Sequence, residues 1–170
     1  MKKKYKKKNI LRIGKLKHKI TVYEEFSILA KEEEYSAEIL ASNNQYRQAC
    51  YFLVQAMEKL IRAKIFSRIN PNLEYFREKN RNHSLDASVE FLVETISNDK
   101  NIQEQVSNQI RKFVLNESSY RFLHNNLRYP FYSERFDSYS ILEVEEKDYN
   151  ILKKSIDSLK IFLNELDKFK

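Results

Sequence analysis

With 170 residues, one glycine, two prolines and 42% hydrophobic side chains, the chain can bury a sizeable core but is poor in the residues that hairpins need, which favours an all-helical fold. No run of about 18 apolar residues is present, which argues against a membrane span, and the basic N-terminus lacks the apolar stretch and cleavage site of a secretory signal. The single cysteine, Cys50, excludes an internal disulfide and fits a reducing cytoplasmic setting, and the formal charge of +7 is unevenly spread.

Residues 1–19 hold ten Lys/Arg and no acid, while residues 20–170 are net −3, so the basicity belongs to a tail over residues 1–20. Such a tail is drawn to phosphate backbones or acidic partners, or serves as a solvated arm. A first helix is expected over residues 22–42, with Val22, Phe26, Leu29, Ala37 and Leu40 near one face; "SNNQ" ends it, because Asn and Ser favour turns. A second is expected over 45–69. Ala49, Leu53, Ala56, Leu60 and Ala63 form one stripe, and Cys50, Val54, Met57, Ile61 and Ile65 a second beside it. Two stripes imply more than one neighbour and a central place, and "NPN" at 70–72 closes the helix.

After a polar connector, "LEYFREKNRN", a third helix is expected from Ser84, which suits an N-cap, with Asp86 near the positive end of the dipole. A fourth starts near Asp99, carries Ile102, Val106, Ile110 and Phe113 on one face, and runs on until it must stop near Pro130. The last, from about residue 144 to the end, shows Leu152, Ile156, Leu159, Leu163 and Leu166 at coiled-coil spacing. No internal repeat appears. The sum is one domain over 21–170, a four- to five-helix up-and-down bundle with a basic N-terminal extension.

The segment "LAKEEEYSAEILASNNQYRQACYFLVQAMEKLIRAKIF" resembles the opening helical hairpin of the HEPN superfamily. Tyr46, Ala49, Phe52, Gln55, Ala56, Glu58, Lys59 and Ala63 fall into its second-helix pattern, with Arg62 where a lysine would stand. "NHSLDASVEFL" is similar to its T-H-D-L segment and places His83 and Leu85 on it; "LRYPFY" is similar to its R-Y-P-D element through Arg128, Tyr129 and Pro130, with Phe131 replacing the acid. The resemblance implies a helical bundle, usually a homodimer. It also implies either a metal-independent endoribonuclease or a non-catalytic relative that binds RNA or nucleotides. Such proteins are frequent in prokaryotic defence and toxin–antitoxin systems, often beside a nucleotidyltransferase partner protein. Catalytic members carry Arg, four to six residues, then His near the end of the fourth helix. The windows after Arg111, Arg121 and Arg128 contain no histidine; the spacing recurs only at Arg12/His18 and Arg77/His83.

The stretch "ESSYRFLHNNLRYPFYSERFDSYS" holds other parts for the same chemistry. If the fourth helix runs to about Leu127, Arg121, His124 and Arg128 share one face. Histidine suits proton transfer and arginine's planar fork suits phosphate, so these three are the catalytic candidates. Tyr129, with Phe131 and Tyr132, offers rings for base stacking. Lys59 and Arg62, with Glu58 and Gln55, form a polar edge that faces either a nucleotide or solvent, and His83 is a further binding candidate or a cap. Three histidines and one cysteine without ligand spacing give no metal site, and the only glycine, Gly14, gives no phosphate loop, so no cofactor is expected. The expected function is RNA or nucleotide binding without catalysis. A displaced-site endoribonuclease neutralised by a nucleotidyltransferase, and a structural helical adaptor, stand as alternatives.

Overall fold

A computed structural model describes residues 14–81, 84–116, 120 and 122–166. The described residues form an all-α bundle carrying one small hairpin. The first hairpin pairs α1 (Val22–Ser42) with α2 (Tyr46–Phe66). Asn44, at φ 60°, turns the chain between them. The amide of Gln45 donates to the carbonyl of Leu40 at 2.9 Å and that of Asn44 to Ala41 at 2.9 Å, so the last carbonyls of α1 are satisfied by a left-handed cap that Asn tolerates. α1 buries only Ala30 and Ala37, and its principal neighbour is α2, whose Ala49, Ala56 and Ala63 are also buried. Small residues on both sides let the helices pack closely. Phe26 stacks on Phe66 at 5.7 Å to close one end of the pair.

α2 is the centre, touching α1, α4 (Leu85–Ile96) and α7 (Glu146–Glu165). Its apolar positions, with Leu85, Val89 and Leu92 of α4 and Ile156, Leu159 and Leu163 of α7, form one core. Burial, and after it the charge of Asp148, pushes the Cys50 thiol up to about 12, which keeps it an inert core residue. Ser84 caps α4, accepting from the amide of Ala87 at 3.1 Å, as the sequence predicts.

Four features depart from the sequence reading. α2 stops at Phe66, not near 69, and α7 starts at Glu146, not 144. The polar connector contains a short helix, α3 (Glu74–Lys79), held to α4 by Phe76 against Phe91 at 5.8 Å and by Lys79 with Glu94 at 2.8 Å. The single long fourth helix is two pieces. α5 (Lys100–Gln109) passes into a π-helical turn, Ile110–Val114, and α6 (Leu123–Asn126) forms only after an interruption. The amide of Leu115 reaches the carbonyl of Ile110 at 2.9 Å, so one extra residue enters the turn and brings Ile110, Val114 and Leu115 all inside. Finally β1 (Phe131–Ser133) pairs antiparallel with β2 (Ser138–Ser140), although composition speaks against hairpins. Asp137, at φ 47°, supplies the left-handed turn residue for which glycine is the usual choice.

α1 and α7 are joined across their surface by Lys153 and Lys160, both on Glu34, at 2.8 and 2.5 Å. Burial pushes the Glu34 carboxyl up, but hydrogen bonds and charge from the two lysines outweigh it and hold it below the ordinary 4.5. A depressed acid stabilises the fold above its unfolded pKa and loses that contribution as pH falls through the folded value. Wild type is therefore expected to exceed Glu34→Gln in stability at neutral pH. The difference should shrink from about pH 5 downward, as followed by urea unfolding across a pH series. A gap that stays constant into acid would refute the assignment.

Candidate nucleic-acid interface

One face of α2 carries a stripe that is neither apolar nor simply solvated: Arg47, Tyr51, Gln55, Glu58 and Arg62, spaced four, four, three and four. The segment 120–129 lies over its N-terminal half. Tyr120 and Leu127 are buried, and Leu123 packs on the core beside them. Leu123 and Leu127 are one turn apart and face inward, so His124 and Arg128, each one residue later, are brought to the edge of α2. The His124 ring meets the Tyr51 ring edge-on at 5.4 Å. Gln55 Nε2 lies 3.2 Å from His124 Nδ1; with the amide donating, the ring carries its proton on Nε2.

The Arg128 guanidinium sits over two rings, 5.5 Å from the centre of Tyr51 and 4.9 Å from that of Tyr129. Each contact is worth about 0.5–1 kcal/mol at an exposed site. Together they hold the guanidinium against the aromatic surface. Arg128 and Tyr129 are exposed. The β1–β2 hairpin continues the aromatic surface: Tyr132 and Tyr139 pair across the strands at 5.7 Å, and the Arg135 guanidinium lies 5.3 Å over Phe136. Tyr132, Phe136 and Tyr139 are all exposed, and Tyr132 donates to Asp137, which raises its pKa. The result is a surface of planar rings and forked cations, suited to stacked bases and phosphates.

The predicted site residues are thus partly assembled. His124 and Arg128, one turn apart, come together with Tyr129 around Tyr51, on the short α6 and its end and not on the single long helix expected to carry them. Arg121 and His83 lie outside the described residues. Lys59 is elsewhere, paired with Glu33 at 2.6 Å. Arg62 is inside the bundle, its Nε donating to Glu58 at 2.9 Å and its Nη1 to the carbonyl of Asn80 at 2.9 Å. The edge they were expected to present is therefore taken up within the fold, Lys59 by Glu33 of α1 and Arg62 by Glu58 and the carbonyl of Asn80.

Tyr51 and Arg47 were missed. Arg47 lies one turn before Tyr51, and its Nε and Nη2 are shielded from water with no hydrogen-bond partner among the described residues. The signal was present as the four-four-three-four spacing, which reading for apolar periodicity alone passes over. Among the described residues no group of three His, Cys, Asp or Glu side chains could hold a metal ion. Nor is any described helix long and apolar enough to cross a membrane. Comparison with family models, curated proteins and solved structures gave no match for the chain.

Proposed function

We propose that the chain binds single-stranded RNA on the face built by Tyr51, His124, Arg128 and Tyr129, as a non-catalytic HEPN-like module. The observation that carries this reading is the Arg128 guanidinium over both Tyr51 and Tyr129, 5.5 and 4.9 Å from the two ring centres. Contact with both rings holds the fork beside the place a phosphate would take, and the exposed Tyr129 can stack a base. His124 adds an imidazole beside the fork, and the exposed tyrosines of the hairpin extend the track along a strand. Ribose over deoxyribose, and a nucleotidyltransferase as partner protein, follow from the resemblance to HEPN proteins.

A charge-assisted hydrogen bond is worth about 1.5–3 kcal/mol, so Arg128→Ala is expected to weaken binding of a labelled single-stranded RNA by tenfold or more. It should also reduce the slope of log affinity against log salt by about 0.7, one phosphate contact on a single strand. Tyr129→Ala should weaken binding while leaving that slope unchanged. Fluorescence anisotropy over a salt series reads both. No binding at low salt, or equal binding by both variants and wild type, would refute the assignment.

The edge contact between His124 and Tyr51, next to Arg128, favours a second reading, a metal-independent endoribonuclease. In it His124 moves the proton and Arg128 holds the phosphate. Cleavage of end-labelled RNA in excess EDTA that is lost in His124→Ala would establish it in place of the binding module.

A further inference from the structure

Behind α6, on the side away from His124 and Arg128, the bundle is not filled. Where the connection between β2 and α7, residues 141–145, meets α6, a cavity of about 290 Å³ remains. Cys50, Leu127 and Leu152, all buried, form its floor. Leu123, Leu142 and Val144, each half-buried and packed on the core, form its sides. An apolar cavity of about 150 Å³ is enough to take up benzene, so this one has room for a ring or a short branched chain.

The charges at the cavity decide what fits it. Its two charged lining residues are both acids, Glu143, exposed at the mouth, and Asp148, half-buried in the first turn of α7. Asp148 Oδ2 accepts from the amide of Glu145 at 2.8 Å, which fixes this carboxylate in place. Behind burial, the charge of Asp148 is what raises the Cys50 thiol, so the carboxylate lies within reach of the floor and the thiol there stays neutral. Among the described residues no lysine or arginine lines the space. The nearest lysines along α7 are engaged elsewhere, Lys147 with Glu145 at 2.8 Å and Lys153 with Glu34 and Glu38, both at 2.8 Å. An apolar space with unmatched negative charge repels anions and favours a cation carried on an apolar body.

We infer that this cavity is a binding site for a small organic amine, its apolar part against Leu123, Leu127 and Leu152 and its ammonium beside Asp148 and Glu143. A ligand so placed bridges α6 and α7. α6 reaches the core through Leu123 and Leu127, so filling the space beside them adds contacts to a segment that has few. Occupancy therefore steadies residues 123–129. The site stands on the cavity and its charges and does not depend on the RNA-binding reading.

Benzylamine, protonated at neutral pH, is the probe, with benzyl alcohol and benzoate as its neutral and anionic counterparts. Methyl-resolved NMR titration of the full chain is expected to show shifts concentrated at Leu123, Leu127, Leu142, Val144 and Leu152. Benzyl alcohol should bind at least threefold more weakly, and benzoate more weakly still. Asp148→Asn keeps the side-chain acceptor and the volume but removes the charge. It should weaken benzylamine about two- to fivefold, in the range of exposed ion pairs, and leave benzyl alcohol unchanged. Glu143→Gln, outside any helix, should act in the same direction and keeps the test open should Asp148→Asn lose its fold. Saturating benzylamine should slow amide exchange of 123–129 threefold or more. No shifts at these methyls, equal affinity for benzylamine and benzoate, or affinity unchanged in both acid variants would overturn the inference. So would amide exchange that saturating benzylamine leaves unaltered.

Discussion

Arg62→Ala is expected to destabilise the fold by about 3–5 kcal/mol, the usual effect of removing one partner from a buried ion pair. Arg62 is 3% exposed and Glu58 5%, on the covered face of the central helix. The guanidinium does two jobs. Its Nε lies 2.9 Å from Glu58, and its Nη1 donates at 2.9 Å to the carbonyl of Asn80, pinning the end of α3 to α2. Alanine removes the cation beside a desolvated carboxylate and leaves a carbonyl without that donor. The net worth of the pair is another matter, since taking both charges out of water is itself costly. Glu58→Leu/Arg62→Met should therefore be much closer to wild type than Arg62→Ala. Urea unfolding of the two variants measures this directly. A loss under about 1 kcal/mol for Arg62→Ala would show that the ion pair is not buried as described.

Leu53→Ala is expected to cost a further order of the same size, about 2–5 kcal/mol, by loss of transfer energy and creation of a cavity. Leu53 is wholly buried on the helix that α1, α4 and α7 all touch, so no flexible neighbour is placed to collapse into the gap. Ile28→Ala removes a comparable side chain from the exposed face of α1 and should leave unfolding nearly unchanged. Equal effects from the two substitutions would mean that α2 is not the centre of the core.

Much of this architecture is legible in the residues because it depends on short-range chemistry. The limits of α1, the left-handed cap at Asn44 and the N-cap at Ser84 each need only a few neighbouring residues. The two apolar stripes of α2 likewise follow from spacing alone. The break after Gln109 does not. Ile102, Val106, Ile110 and Phe113 continue a helical period across it, and the change to a five-residue hydrogen bond is imposed by burial of Ile110, Val114 and Leu115 together. The hairpin was hidden because Asp137, not glycine, takes the left-handed position. At the candidate site His124, Arg128 and Tyr129 were readable as residue types with suitable chemistry. Tyr51 was not, because its part depends on a contact between segments more than 70 positions apart. Lys59 and Arg62 looked like an outer edge because nothing local shows that Glu33 and Asn80 meet them.

The shortness of α6 bears on how the candidate surface opens. This four-residue helix is too short to persist by itself, and it reaches the core through Leu123 and Leu127. The α1, α2, α4 and α7 framework does not include it. Release of those two leucines is therefore expected to dissolve the arrangement of His124 and Arg128 about Tyr51 while the framework stays folded. Amides of 123–129 are expected to exchange through a local opening at a free energy well below that of global unfolding, read by hydrogen exchange. A strand bound across Arg128 and Tyr129, as proposed, would also tie down this segment, so occupancy of the surface and its internal order would be thermodynamically linked.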